Sequence, residues 1–289
     1  MENKTDVTIL IPAYNEEEAI GPVIAEVKEA MKKYRGDYEV LVVDDASSDA
    51  TFERAKAEGV RVVRRPVRGG SGASRRTGIE AAQGEIVVML DGDGSYDAKD
   101  IPELLKYFPD YDQVNGARMS EKGTLKLLRA PAKWFIRMLA CYLTRTEIPD
   151  LNTGLKAFKK EIMKKYLWVL PDGFSCVTTM TLAFLSNGHA VKYVPANYRK
   201  RIGKSKFHPI KDSASYLNTV LRMVMYFNPL RVFMPASFLL LLFAIVKSIA
   251  SFSTTSTLQE SDVILFVGAL MLAALGLIAD LIVAYHNRQ

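Results

Sequence analysis

Asp91-Gly92-Asp93 follows directly on an apolar run, Ile86 to Leu90, that reads as a buried strand. Carboxylates spaced i, i+2 around a glycine can converge on one hard divalent cation, which takes oxygen ligands. A cation held that way is most useful where phosphate charge has to be neutralised, and it points to chemistry on a nucleoside diphosphate. The competing explanation is an acidic strand-to-helix turn, since Asp and Gly favour turns on their own account. Two further clusters weigh against that explanation: Pro12-Ala13-Tyr14-Asn15-Glu16 and Asp44-Asp45, each also closing a short β-branched run.

The elements that must position these groups alternate. Val7–Ile11, Tyr38–Val43, Arg61–Val63 and Ile86–Leu90 read as strands, the first stopped by Pro12. Between them, 19–33 carries helical spacing of Ile20, Ile24, Val27 and Met31. A short helix over 49–58 has Ser47 or Ser48 as its cap, and another runs from the glycine-rich Arg68-Gly69-Gly70-Ser71-Gly72 to about Ala82. Strands alternating with helices imply an α/β fold with a mainly parallel sheet, whose ligands gather at the carboxyl ends of the strands. All three polar clusters fall at such ends.

The 289 residues are unevenly divided. Up to about Arg231 the composition is that of a soluble α/β protein. Beyond it, 233–252 and 263–285 carry one charge each, Lys247 and Asp280, and each is long enough as a helix to cross roughly 30 Å of bilayer core. Both charges sit near helix ends, where side chains reach polar surroundings. The connecting 253–262 has no Lys or Arg, whereas Arg222, Arg231 and Arg288 flank the pair. The positive-inside rule therefore predicts an outward-facing hairpin loop, with the N-terminal domain and both termini cytoplasmic, on a plasma or ER-type membrane. The opening segment has no signal-peptide core, and two cysteines suit a reducing compartment. The net charge of +6 is concentrated beside membrane-seeking segments, which argues against a nucleic-acid partner.

The order of these motifs resembles the family 2 glycosyltransferases with their GT-A nucleotide-binding fold, and within them the polyprenyl-phosphate sugar synthases of the dolichyl-phosphate mannose synthase type. Further matches are Gly116-Ala117-Arg118, Asp150 to Lys156, and Arg201 to Lys206, so that the resemblance covers about 6–230. It implies a domain over 1–208, a juxtamembrane amphipathic helix over 209–230, and a transmembrane hairpin over 231–289. It also implies that Pro12, Tyr14 and Glu16 line a nucleotide pocket and that Asp44 or Asp45 faces base and ribose, a cap on the next turn being the other role open to Asp45. Asp91 and Asp93 would hold Mg²⁺ or Mn²⁺ against the diphosphate. Ser95 stands where these synthases often place a further ligand, Gln, and Ser71 where the glycine-rich segment often has Lys, with Arg68, Arg75 and Arg76 nearby.

On the acceptor side, 123–145 interleaves Leu127, Leu128, Trp134, Phe135 and Met138 with Lys126, Arg129, Lys133 and Arg137, as a helix lying in the membrane interface would. A packed helix with one solvated face has the same pattern. By position Arg118 matches the family's acceptor-phosphate arginine, with Arg129 a candidate for the second. Arg201 and Lys204 are placed to clamp the donor diphosphate, and attraction to anionic lipid is the alternative for Lys204 and Lys206. The segment 173–179, where relatives that glycosylate hydroxyls carry an acid, has none. That leaves Asp150 as base, loop anchor or orienter of an arginine. The expected reaction is metal dependent and moves one hexose from GDP- or UDP-sugar to polyprenyl phosphate with inversion, at the cytoplasmic face of the membrane and with room for a homo-oligomer. Transfer to a lipid or glycan hydroxyl, and a non-catalytic nucleotide-sugar-binding module, are the alternatives.

Overall fold

The computed structural model describes residues 5–118, 137–142, 144–173, 175–202, 218–219, 222–223 and 225–286. It divides into two compact units, Met1–Val220 and Leu221–Gln289. In the first, a seven-stranded sheet runs β3-β2-β1-β4-β6-β5-β7. The strands are β1 (Val7–Ala13), β2 (Tyr38–Asp44), β3 (Arg61–Arg64), β4 (Ile86–Met89), β5 (Gln113–Arg118), β6 (Lys156–Lys159) and β7 (Val191–Ala196). All pairings are parallel except those of β6, which runs against both β4 and β5.

Alternation along β1 builds the core on both faces. Ile9 and Ile11 pack with α1 (Ile20–Met31) through Ile20, Ile24 and Val27, while Leu10 joins Leu41, Met89, Phe158 and Phe184 on the other side. α3 (Ser71–Ala81) lies so close to this second face that a Cβ on Gly78 would meet Leu10 Cδ1 at 2.2 Å. A side chain there would displace Leu10 from its place in the core.

Pro12 does not end β1, which continues to Ala13. Leu10 O accepts from Leu90 N, so even-numbered residues of β1 face β4, and β4 is paired only as far as Leu10↔Met89. The missing N–H of Pro12 thus points past the end of its neighbour and breaks no ladder bond. The capping expectation also changes. α2 (Thr51–Ala57) begins after Ala50 without a side-chain cap, because Ser47 and Ser48 bond the 13–17 loop instead: Asn15 N donates to Ser47 Oγ at 3.0 Å and Ser48 N to Asn15 Oδ1 at 2.9 Å.

The antiparallel β6 is what completes the functional edge. The carboxyl ends of β1, β2, β4, β5 and β7 share that edge with the amino end of β6, so Arg118, the 150–155 segment and the stretch after β7 join the two acidic clusters.

In the second unit, α7 (Leu230–Thr255) and α8 (Glu260–His286) form an antiparallel pair, each long and apolar enough to cross a membrane. (α4 is Ile101–Leu105, α5 Lys160–Lys164 and α6 Cys176–Ser186.) Small residues set their approach: Gly276 faces Phe233, and Ser237 Oγ donates to Ala269 O at 2.8 Å. Lys247 finds a partner on the other helix, donating to Asp262 Oδ1 at 2.8 Å. The expected interfacial helix over 123–145 lies mostly outside the described residues, with helix at 137–142, and so does most of 209–230.

Candidate active site

The edge is assembled by loops stapled to each other. Asp45 N donates to Ala13 O at 2.9 Å, Glu16 N to Thr51 Oγ1 at 2.8 Å, and Ala50 N to Glu17 Oε2 at 3.2 Å. Tyr14 lies under the Arg68 guanidinium, 4.2 Å from its ring centroid. Asp44 is buried; its Oδ1 accepts from Ser47 N at 3.3 Å and its Oδ2 lies 3.2 Å from Arg64 Nε.

Asp45 is also buried, and its carboxylate is engaged by the glycine-rich loop: Gly69 N and Gly70 N donate to it at 3.0 and 2.7 Å, and Arg65 Nη1 at 2.6 Å. This is a third arrangement beside the two read from sequence, neither a turn cap nor a free carboxylate. It fixes the entry to α3, with Gly70 at φ +95°, a conformation that favours glycine.

The central carboxylates each meet an arginine. Arg75 reaches from α3 to Asp91 Oδ1, and its Nη1 also bonds Ser71 and lies 3.6 Å from the buried Cys176 Sγ. Arg201 Nη1 is 3.3 Å from Asp93 Oδ2. Burial pushes the Asp91 carboxyl up, opposed by Arg75 and reinforced by Asp93. The Arg75 guanidinium in contact, and the 32% of the side chain that remains exposed, both favour its ionised form. Gly154 admits this carboxylate, since a Cβ there would stand 2.4 Å from Asp91 Oδ2. Its backbone is held in place by N–H donation to Tyr96 Oη at 2.7 Å.

Ser95 N donates to Asp93 Oδ1 at 3.0 Å, while Ser95 Oγ is buried with no hydrogen-bond partner. Two adjacent carboxylates and an orphaned hydroxyl make an oxygen-only donor set, which suits Mg²⁺ or Mn²⁺ completed by substrate phosphates and water. No group of three or more His, Cys, Asp or Glu occurs among the described residues, so the protein alone supplies few ligands.

Arg118 and Asp150 form a fork: Nε to Oδ2 at 2.7 Å, Nη2 to Oδ1 at 2.9 Å, and Arg118 N to Oδ2 at 3.3 Å. Burial alone would raise the Asp150 carboxyl, but Arg118 and the backbone donors outweigh it and hold it below the usual range. Arg118 also packs 5.3 Å from the centroid of Tyr198, and 198–202 runs across the 91–95 loop through Arg199 N to Ser95 O at 2.7 Å and Ile202 N to Asp93 O at 3.0 Å.

The edge therefore unites Pro12, Tyr14, Glu16, Asp44, Asp45, Asp91, Asp93, Ser95, Arg118, Asp150 and Arg201, while Arg129 and Lys204 lie outside the described residues. Three participants were not singled out as site residues: Arg75, Gly154 and Lys156. Lys156 is wholly buried one strand position beneath the edge, donating to Thr181 Oγ1 at 2.7 Å and Asn115 Oδ1 at 3.2 Å. Both Gly154 and Lys156 lie in the motif 150–156, and Arg75 one helical turn after Ser71, where its spacing was the available signal.

The chain belongs to the glycosyl transferase family 2, whose defining pattern matches residues 8–167. A second pattern, the GtrB C-terminal hairpin, matches 228–285 and hence the α7–α8 pair. Among its relatives in Haloferax volcanii, glycosyltransferase AglJ is 30% identical, covering 98% of this chain and 95% of its own length. The dolichyl-phosphate hexose transferase of that organism is 29% identical over 75% of this chain and 93% of its own. Of solved structures, glucosyl-3-phosphoglycerate synthase from Mycobacterium tuberculosis, bound to Mn²⁺, UDP and glucosyl-3-phosphoglycerate, superposes with a TM-score of 0.61 at 23% identity. It covers 76% of this chain and 80% of that one, a likeness of fold.

Proposed function

We propose that this glycosyltransferase moves a single hexose from a nucleoside-diphosphate sugar to a polyprenyl phosphate. The observation that carries this reading is the Arg118–Asp150 fork. A sugar or lipid hydroxyl needs a base to take its proton, whereas a phosphate monoester oxygen is already a nucleophile near neutral pH. Asp150 has both oxygens on Arg118 and a lowered proton affinity, a poor state for a base and a good one for orienting a guanidinium toward phosphate. The names of the relatives, dolichyl-phosphate hexose transferase among them, support the same acceptor class.

In this reading Asp91, Asp93 and Ser95 hold Mg²⁺ or Mn²⁺, which when bound supplies Lewis-acid stabilisation of the departing nucleoside diphosphate. The loop 12–16 with Asp44 receives the nucleotide, Asp45 holds the glycine-rich loop that borders it, and Arg201 with Lys204 receives the diphosphate. Arg118, with Arg129 as the second candidate, binds the acceptor phosphate. A phosphate oxygen forms the new bond to the anomeric carbon as the bond to the diphosphate breaks, with inversion at that carbon. Positioning and charge neutralisation supply the catalysis. The charge asymmetry of the segments flanking the hairpin supports a cytoplasmic-face reaction.

The test is transfer of radiolabel from a panel of GDP- and UDP-hexoses into lipid by the purified protein with polyprenyl phosphate and Mn²⁺. Incorporation that EDTA and Asp93→Asn each abolish is expected. Incorporation that survives both would sink the metal assignment.

A further inference from the structure

In this structure each metal-binding carboxylate is already neutralised by a guanidinium. Arg75 holds Asp91 from α3, and Arg201 holds Asp93 from the segment after β7. Two negative and two positive groups make the site balanced as it stands. Adding a divalent cation alone leaves two guanidinium groups beside a doubly charged ion, an unfavourable arrangement in a partly buried cleft. Adding a nucleoside-diphosphate sugar, whose diphosphate carries two negative charges, with the cation restores the balance and offers both arginines new oxygen partners.

Arg75 is built for such a change of partner. It is 4% exposed, leaves α3 one turn after the glycine-rich loop, and its Nη1 stays anchored to Ser71 O at 3.1 Å while Nη2 reaches Asp91. The loop before it is fixed by Asp45, and Arg76, the next residue, points away to Leu170 O and Asp172. Of the adjacent Arg75 and Arg76, then, Arg75 is the one that faces Asp91.

We infer that Arg75, together with Arg201, works by carboxylate exchange: each guanidinium occupies a metal-ligand carboxylate in the free enzyme and passes to the donor diphosphate as metal and nucleotide enter together. Arg75 is thereby a positioning residue that makes the two ligands bind synergistically and keeps the ion from binding by itself. The inference rests on the donor-site reading given above.

The test measures Mn²⁺ binding to the full-length protein in detergent by the electron paramagnetic resonance of free ion, alone and with UDP or GDP. In the wild type a nucleotide is expected to tighten Mn²⁺ by about tenfold or more, and Mn²⁺ to tighten that nucleotide by the same factor. Arg75→Met is expected to bind Mn²⁺ alone about threefold or more tighter than wild type, with most of the synergy gone. Arg201→Met, at a more exposed position, is expected to shift both quantities in the same directions and covers a folding failure at Arg75. A residue of merely structural importance would weaken Mn²⁺ binding in both conditions. Variants that bind Mn²⁺ alone no better than wild type, or that retain full synergy, overturn the exchange and leave the donor site standing. Absence of Mn²⁺ binding by the wild type with either nucleotide overturns the donor-site reading, and the exchange with it.

Discussion

Lys156 should make the stability of this protein rise as the solution becomes more alkaline. Its ammonium is fully enclosed and, among the described residues, bonded to the neutral oxygens of Asn115 and Thr181. Burial, opposed by the more distant charge of Asp150, pulls its pKa from 10.5 to about 7. Between those values the unfolded chain binds a proton that the folded one does not, so unfolding becomes harder as pH rises through the window. Below pH 7 both states carry the proton, and the full cost of burying the charge is present. Each pH unit above 7 is worth about 1.4 kcal/mol, and the whole window at most about 5 kcal/mol. From pH 7 to pH 9 the gain is about 2.5 kcal/mol, or about 5–10 °C of melting temperature for a domain of this size. Lys156→Met keeps the volume and removes the titration, so thermal melts of the two proteins in detergent across pH 7–9 isolate the effect. Cys176, Tyr96 and Tyr193, whose proton affinities burial raises, are common to both and cancel. Melting curves that run parallel, within about 2 °C across the window, would refute the reasoning.

Asp150→Asn leaves Arg118 without its fork, and transfer should fall about 10–100-fold, mainly through acceptor KM, with the shape of the pH profile unchanged. A collapse of kcat that added base restores would instead mark Asp150 as the base. Gly154→Ala forces a methyl onto Asp91 and should weaken Mn²⁺ binding about tenfold or more without unfolding the sheet, which direct Mn²⁺ titration and a thermal melt report together. Asp45→Asn loses the charge that Gly69, Gly70 and Arg65 share, and should destabilise the domain by about 2 kcal/mol while raising nucleotide KM, measurable by melting and by donor titration.

The parallel half of the sheet was legible because β1, β2 and β4 are apolar, β-branched runs ending in polar clusters. β5 to β7 were not, for reasons visible in their residues. β5 buries Gln113 and Asn115, β6 opens on buried Lys156, and β7 contains Pro195, so none presents the periodic signal of a strand. The types and spacing of Asp91 and Asp93 were enough to suggest a cation site, though an acidic turn would have looked the same. Their partners could not be declared, because Arg75–Asp91, Arg118–Asp150 and Asp45 with Gly69 and Gly70 are contacts that only the folded edge creates. The same holds for Ser47 and Ser48, good caps by composition that tertiary contacts with Asn15 diverted. The apolar spans were readable from composition alone, though α7 and α8 each extend beyond the sequence bounds.

The claim that a phosphate is the acceptor is tested most directly by the bond the purified enzyme makes. Polyprenyl phosphate and the matching polyprenol would be offered side by side with the labelled donor that supports transfer. Label is expected only on the phosphate, in a product that mild acid cleaves at the anomeric carbon to release free sugar. Label on the polyprenol, or a product stable to mild acid, would contradict it.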